Sequence, residues 1–173
     1  SKVKDLKLRL HDGTEAPAEV VLRDKDLGIA FVRPSPALAQ PVKPVDLSAA
    51  AAPALLDLGV CINRLGKIGN WEPGLFLLRV DAKLSKPRTL YVHTNLTTLG
   101  CPVFALDGKI IGLSIMRIGA SESDPFSAVM DAATNLANLG ALPVILPADQ
   151  ILEVAKQALE AKAEPKPEAK VAS

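Results

Sequence analysis

The residues of this sequence with the most versatile side-chain chemistry are two cysteines and two histidines: Cys61, Cys101, His11 and His93. Cys101 could act as a thiol nucleophile, with His93, eight residues earlier, as its base. Such a nucleophile needs a lowered thiol pKa and a base within hydrogen-bond reach. Three structural alternatives remain open: Cys101 is a buried free cysteine, Cys61 and Cys101 form a disulfide, or His93 is a satisfied histidine at a strand end. Because free cysteine is among the most buried residue types, we expect a buried free thiol at Cys101.

The sequence predicts no metal site and no cofactor. It contains no CxxC pair, and a structural zinc site would need all four of its Cys and His side chains to converge. The glycines around Asn70 and Trp71 lack the Gly-x-x-x-x-Gly-Lys-Ser/Thr pattern of a phosphate cradle. No serine, Ser114 included, lies in a Gly-x-Ser-x-Gly elbow. Trp71 would either plug a barrel end, which we favour, or mark a contact surface.

Length, charge and composition exclude several classes of protein. The chain has 173 residues, 49% of them hydrophobic, which is ample material for a folded core. A net charge of +1 without a basic block argues against nucleic-acid binding and against electrostatic attachment to membranes. No run of about 18 apolar residues is long enough to span a bilayer. The first residues contain no apolar segment of the kind found in signal peptides.

The spacing of apolar residues predicts short strands followed by one helix. Leucines alternate with charged residues over Leu6–Leu10, the period of a half-buried strand. Asp12-Gly13 and Asp107-Gly108, each between two apolar runs, predict hairpin turns. The predicted strands cover residues 6–10, 15–22, 27–32, 59–65, 74–80, 89–93, 102–106, 109–116 and 142–146, and the predicted helix covers 147–161. Such a series of short strands is typical of a β-barrel or a sandwich.

Four stretches, in order, resemble the trypsin-like protease fold in its bacterial HtrA-type form. Leu8–Val32 is similar to that family's strand, Asp-Gly turn, strand and Asp-Leu-x-Ala-hydrophobic strand. Leu58–Gly66 resembles the strand that opens the second barrel. Gly100–Leu113, with the sequence GCPVFALDGKIIGL, looks like the segment that follows the nucleophile, and Leu142–Pro147 resembles the closing strand before the last helix.

This resemblance implies an all-β fold class with a C-terminal helix, a trypsin-like double β-barrel whose first barrel is truncated at its N-terminus. The expected organisation is a partial first barrel at 1–36, a connection at 37–58, the second barrel with the helix at 59–160 and a disordered tail or linker at 161–173. Between the last two strands we expect a polar loop at Ser121–Asp124 and a short helix or irregular excursion at Phe126–Leu139.

The resemblance also implies that the catalytic machinery is degenerate. In the family a Ser is activated by a His base that an Asp orients, and backbone N–H groups stabilise the oxyanion. Asp26 falls at the position of the family's Asp, with a turn carboxylate at a strand start as the alternative. Leu99 falls at the nucleophile position and has no nucleophilic atom. The family's His would precede the Leu8 strand, in a part of the barrel that this sequence does not contain.

We therefore predict an inactive, protease-like domain that binds proteins or peptides or acts as a scaffold. An exposed strand edge near Leu6–Leu10 would allow pairing with another chain, and hence a homo-oligomer. We expect no nucleic acid and no membrane insertion, and the resemblance alone implies a periplasmic or secreted location. The alternatives are an active hydrolase that uses Cys101 or is completed from elsewhere, and a plain β-rich domain that resembles proteases by coincidence.

Overall fold

The chain consists mainly of short antiparallel strands, and a computed structural model describes residues 5–39, 42–118 and 141–161. The strands are β1 (Lys7–Arg9), β2 (Glu15–Asp24), β3 (Ile29–Pro34), β4 (Leu58–Arg64), β5 (Pro73–Arg79), β6 (Ala82–Leu84), β7 (Leu90–Val92), β8 (Pro102–Ala105), β9 (Ile110–Ile118) and β10 (Ala141–Pro147). A 3₁₀ turn lies at Leu96–Thr98, and helix α1 covers Ala148–Glu160. The predicted fold class, mostly β with a C-terminal helix, is confirmed in the described residues. The predictions for 121–139 and for 162–173 lie outside them.

The chain forms two compact units, one from residues 1–44 and 153–173 and the other from residues 45–152. In the first unit, β1, β2 and β3 form an antiparallel sheet with β2 in the centre. The predicted Asp12-Gly13 turn joins β1 to β2, with Gly13 at φ +85° and the Asp12 carboxylate accepting from the Thr14 N–H at 2.9 Å. Among the described residues β1 pairs only with β2, so it lies at a sheet edge.

The strands of the second unit pair in the order β5-β4-β8-β9-β10-β7-β6. β5 and β6 are two arms of one strand that bends at Val80-Asp81. The Val80 N–H donates to the Asp57 carbonyl beside β4 at 2.9 Å, and the Asp81 N–H donates to the Val92 carbonyl of β7 at 2.8 Å. Because the bent strand thus pairs with β4 at one end and with β7 at the other, the sheet closes into a six-stranded barrel of the described strands.

Buried side chains from each strand of this barrel fill its interior. The core consists of Cys61, Leu78, Val80, Tyr91, Cys101, Val103, Ile111 and Ile145. Gly112 allows β9 and β10 to approach closely, since a Cβ there would overlap the backbone carbonyl of Leu146. The residue type at 112 is therefore fixed by backbone packing.

The outer side of β4, β5 and β8 carries large apolar side chains. We call this surface, together with Leu106 directly after β8, the apolar face; its residues are Leu58, Val60, Ile62, Leu75, Leu77, Phe104 and Leu106. Val60 lies between Leu77 on β5 and Phe104 on β8, and Ile62 lies opposite Leu75. Leu75 is 67% exposed and Leu106 68%. Exposed apolar side chains that form contiguous rows, and are not scattered singly, mark contact surfaces in soluble proteins.

Candidate functional site

Asp26 lies in the turn between β2 and β3, where it is exposed. The carboxylate that closes this turn belongs to Asp24, whose Oδ1 accepts from the Leu27 N–H at 2.7 Å while its carbonyl accepts from the Gly28 N–H at 2.9 Å. Gly28 has a φ of +73°, which a glycine adopts without strain. Asp24 therefore caps this turn through its side chain and its backbone carbonyl.

Leu99 directly follows the 3₁₀ turn at Leu96–Thr98, and its side chain is half-buried. Asn95 caps this turn, because its Oδ1 accepts from the Thr97 N–H at 3.0 Å. The Leu99 N–H donates to the Leu96 carbonyl at 3.5 Å. The backbone N–H groups of Leu99 and of the residue two before it are therefore both used within the turn.

A buried polar cluster lies just beyond, inside the barrel, and consists of His93, Thr98 and Ser114, each with 0% exposure. Thr98 Oγ1 donates to the Asn95 carbonyl at 2.8 Å and lies 3.4 Å from Ser114 Oγ. Ser114 Oγ also forms a hydrogen bond with His93 Nε2 at 3.0 Å, in which the tautomer of the ring decides which atom donates.

The electrostatics of His93 keep its imidazole neutral. Burial lowers the pKa of His93 from 6.5 to about 4, although the nearby Asp81 carboxylate acts in the opposite direction. Its Nδ1 has no hydrogen-bond partner among the described residues. Asp81 is instead held by Arg79, at 2.7 Å, and by the Thr94 hydroxyl at 3.4 Å. Ser114, His93 and Asp81 thus lie near one another, like the three residues of a catalytic triad. The hydrogen bond between histidine and acid is missing, however, and the serine is buried away from solvent.

Cys61 and Cys101 are free buried thiols, as predicted for Cys101. Burial raises the pKa of Cys101, and burial with the charge of Cys101 raises the pKa of Cys61 to about 11, against a hydrogen bond with Thr98 that lowers it. Cys101 Sγ donates to the Leu99 carbonyl at 3.7 Å. His93 directs Nε2 to Ser114 and leaves Nδ1 without a described partner, so neither ring nitrogen is bound to the Cys101 thiol.

Sequence reasoning did not single out Ser114, because a serine in a strand is expected to have a solvated or back-bonded hydroxyl. Ser114 lies on β9 opposite Ile145 of β10, and Ile145 lies opposite Tyr91 of β7. Ser114 and His93 are thus two strands apart and meet across the barrel interior. The separation of Ser114 and His93 along the chain does not predict that their side chains lie close together. Within the described residues no three Cys, His, Asp or Glu side chains are placed to hold a metal ion.

Comparison with known proteins identifies the fold. No family model and no curated protein matches this sequence. Among solved structures, the chain is similar to the apo form of the MamO protease domain from Magnetospirillum magneticum, with 14% identity and a TM-score of 0.58. The similarity covers 86% of this chain and 72% of that chain. At this level of identity the likeness concerns the fold alone, and it agrees with the prediction made from the sequence: this chain has the trypsin-like protease fold.

Proposed function

We propose that this chain is a catalytically inactive, HtrA-like domain that binds extended segments of proteins or peptides. The proposal rests on one observation: the reactive side chains of the barrel point inwards, and its apolar contact side chains point outwards. β4 directs Cys61 into the core and Val60 and Ile62 outwards. Nucleophilic groups are thus sealed inside, whereas apolar contact groups face solvent.

Three features of the described residues support the absence of catalysis. The nucleophile position is occupied by Leu99, which has no reactive atom. In trypsin-like enzymes the oxyanion is held by the N–H of the nucleophile and that of the residue two before it. Here the corresponding N–H groups, of Leu99 and Thr97, donate to the Leu96 carbonyl and to Asn95 Oδ1. The hydrogen-bonded Ser114–His93 pair is inaccessible to a substrate because both side chains are fully buried.

The alternative of a Cys101 nucleophile lacks the features that thiol catalysis needs. A reactive cysteine has a lowered pKa, an adjacent cation or base, and access to solvent. Burial raises the pKa of Cys101, and the residue is only 6% exposed. Its hydrogen bond goes to the Leu99 carbonyl, an acceptor that cannot remove the thiol proton at neutral pH.

The apolar face supplies a surface for an extended peptide. Side chains at alternate positions of a strand repeat at about 6.6 Å along one face. Leu58, Val60 and Ile62 on β4 have this spacing, and a shallow groove beside them is lined by Phe104 and Leu106. A peptide in extended conformation with apolar residues at alternate positions matches the same repeat.

The chemical half of the proposal is tested by covalent labelling of the native protein. A fluorophosphonate and iodoacetamide are each incubated with the folded chain, and intact mass counts the adducts. We expect no stoichiometric fluorophosphonate adduct on Ser114, and no iodoacetamide adduct on Cys101 until urea exposes its thiol. Leu159→Cys, on an exposed position of α1, is the positive control for thiol access. Native labelling of Cys101 that is abolished by His93→Gln would establish the hydrolase alternative.

The binding half is tested with an immobilised library of random ten-residue peptides. We expect enrichment of peptides with alternating apolar residues, and a loss of affinity of about tenfold or more for Ile62→Asp and Leu77→Asp, since each removes one buried apolar contact. Leu159→Asp, with the same change of character on α1, should bind within about twofold of the unaltered chain. No enrichment, or equal losses in all three variants, would contradict a peptide site on the apolar face.

A further inference from the structure

The outer edge of β5 carries backbone groups that the barrel does not use. In an antiparallel pair, every second residue directs both its N–H and its C=O to the partner strand. At one end of the β4–β5 pair the Leu65 N–H donates to the Glu72 carbonyl at 3.0 Å. At the other end the Val80 N–H donates to the Asp57 carbonyl at 2.9 Å. Because the register is unbroken between these ends, the even-numbered residues of β5 bond β4 and the odd-numbered residues face away from it.

Between Pro73 and Leu77 the residues that face away from β4 are Pro73, Leu75 and Leu77. The Leu77 carbonyl accepts from Asn95 Nδ2 at 2.8 Å, which agrees with this direction. No described residue bonds the Leu77 N–H, the Leu75 N–H, the Leu75 C=O or the Pro73 C=O. Proline has no N–H, so Pro73 offers its carbonyl alone. These four backbone groups form an open row that we call the β5 edge.

The side chains beside the β5 edge belong to the apolar face. Leu75 and Leu77 are 67% and 55% exposed. They lie opposite Ile62 and Val60 of β4. The strand therefore offers hydrogen-bonding groups along its edge and apolar side chains on its outer surface, and one extended chain would satisfy both.

We propose that a peptide binds as an added antiparallel strand on the β5 edge; this inference rests on the proposed function and specifies the binding mode of that site. The peptide residue opposite Leu75 would accept from the Leu75 N–H and donate to the Leu75 carbonyl. The peptide residue two before it would accept from the Leu77 N–H, and the residue two after it would donate to the Pro73 carbonyl. The side chains of these three peptide residues would lie on the same side of the sheet as Leu75 and extend the apolar face by one strand.

The directed backbone groups select an extended segment as the occupant. The open edge from Pro73 to Leu77 is about 13 Å long, since a strand rises about 3.3 Å per residue. A second copy fits poorly, because antiparallel pairing of two β5 strands would place the residues before Pro73 of one copy against Asn95 of the other. Lipid chains cannot bond N–H and C=O groups. In the part of the chain that the structure describes, no helix is long and apolar enough to cross a membrane.

A synthetic peptide tests this binding mode with the protein unaltered. The peptide has seven residues, three valines alternating with four serines, and both of its ends are blocked. In the added strand the valine side chains lie on the apolar face and the valine N–H groups face β5. N-methylation of the central valine should weaken binding about tenfold or more in calorimetric titration, because it removes a donor and leaves a carbonyl unpaired. N-methylation of the serine that follows, whose N–H faces solvent, should change the affinity by less than about threefold.

Amide hydrogen exchange, followed by NMR, locates the contact on the protein. The Leu75 N–H should exchange rapidly in the free chain, because it faces away from β4. At a peptide concentration one hundred times the Kd, its exchange should slow by about a hundredfold. The Leu78 N–H faces β4 and should be protected with and without the peptide.

Two variants of the β5 edge should change the affinity in opposite directions. Leu75→Pro removes the outward N–H and should weaken binding about tenfold or more. Pro73→Ala adds an outward N–H and should tighten binding about two- to tenfold, the ratio for one net hydrogen bond. Neither change removes a bond to β4, and edge strands tolerate proline where the N–H faces solvent. Urea unfolding checks that both variants are folded, and the exchange of the Leu75 N–H in the unaltered chain decides the question if Leu75→Pro does not fold.

The results separate failure of the binding mode from failure of the peptide site. If the unmethylated peptide and the library peptides all fail to bind, the peptide site itself is refuted. If the peptide binds but both methyl groups have equal effects, or the Leu75 N–H stays unprotected, a peptide site remains and strand addition is excluded. A loss confined to the methylated serine would exclude the antiparallel direction. A dimer in sedimentation that Leu75→Pro abolishes would instead make the β5 edge a contact between copies of this chain.

Discussion

Protonation of His93 should make the folded state sensitive to mild acid. Burial holds the pKa of His93 at about 4, against 6.5 for an ordinary histidine. Between these two pH values the unfolded chain binds a proton at this residue and the folded chain does not. The contribution of His93 to the free energy of unfolding is therefore complete above pH 6.5. This contribution is lost as the pH decreases towards 4. Since each pKa unit corresponds to about 1.4 kcal/mol, the complete loss is about 3 kcal/mol.

The assay is urea unfolding followed by far-UV circular dichroism from about pH 7 to about pH 5. Over this interval we expect the unaltered chain to lose about 2 kcal/mol of unfolding free energy through His93. His93→Gln, which keeps a hydrogen-bonding group beside Ser114 but cannot titrate, should lose less than half as much. His11→Gln is the matched control, because His11 is exposed on the β1–β2 turn. Its pH dependence should equal that of the unaltered chain.

Three hydrogen-bonded aspartates do not obscure this interval. Hydrogen bonds with Thr14, Ser48 and Lys109, respectively, hold the pKa values of the Asp12, Asp46 and Asp107 carboxyls below 3.8. A proton NMR titration in which His93 ionises near 6.5 in the folded chain would refute the reasoning. So would pH profiles that are identical for the unaltered chain, His93→Gln and His11→Gln.

Three further outcomes follow from the barrel. Gly112→Ala should lower the free energy of unfolding by about 3 kcal/mol, because the new Cβ would overlap the backbone of β10. Gly108→Ala, at a φ of +85° in open space, should lower it by only about 1 kcal/mol. Equal losses of the two variants in urea unfolding would contradict this reasoning. Cys61 and Cys101 should react with Ellman's reagent at least about a hundredfold more slowly in the folded chain than in urea, and a fast native thiol would disprove their burial. Leu99→Ser should not hydrolyse fluorogenic peptides, because the neighbouring N–H donors are already used; measurable turnover would contradict the proposed inactivity.

Local signals predicted much of the fold. The Asp12-Gly13 and Asp107-Gly108 turns each depend only on neighbouring residues. The sequence alone therefore predicts them. Gly13 and Gly108 both adopt φ +85° in the structure. Helix α1 and strand β10 were likewise predicted to within about two residues, because their apolar patterns are long and regular.

The features that were not predicted depend on contacts between distant parts of the chain. A single strand was predicted at 74–80, but the barrel closes through a bend at Val80-Asp81 that is fixed by the carbonyls of Asp57 and Val92. Ser114 meets His93 across an intervening strand. For Trp71 a plug at a barrel end was favoured over a contact surface, but this residue is exposed in the loop between β4 and β5. Its actual position follows from loop hydrogen bonds that no pattern of residue types encodes.

The inward polar cluster and the outward apolar face should behave as energetically separate parts of one barrel. A peptide that binds only the folded chain raises the free energy of unfolding, by about 2.7 kcal/mol at a concentration one hundred times its Kd. His93 lies inside the wall and changes stability only through its own proton. A saturating peptide on the apolar face should therefore add the same increment at pH 7 and at pH 5, and the slope of stability against pH should stay unchanged. An increment that shrinks at low pH would mean that the peptide senses the His93 cluster, and hence that the polar cluster is accessible from the surface and belongs to the binding site.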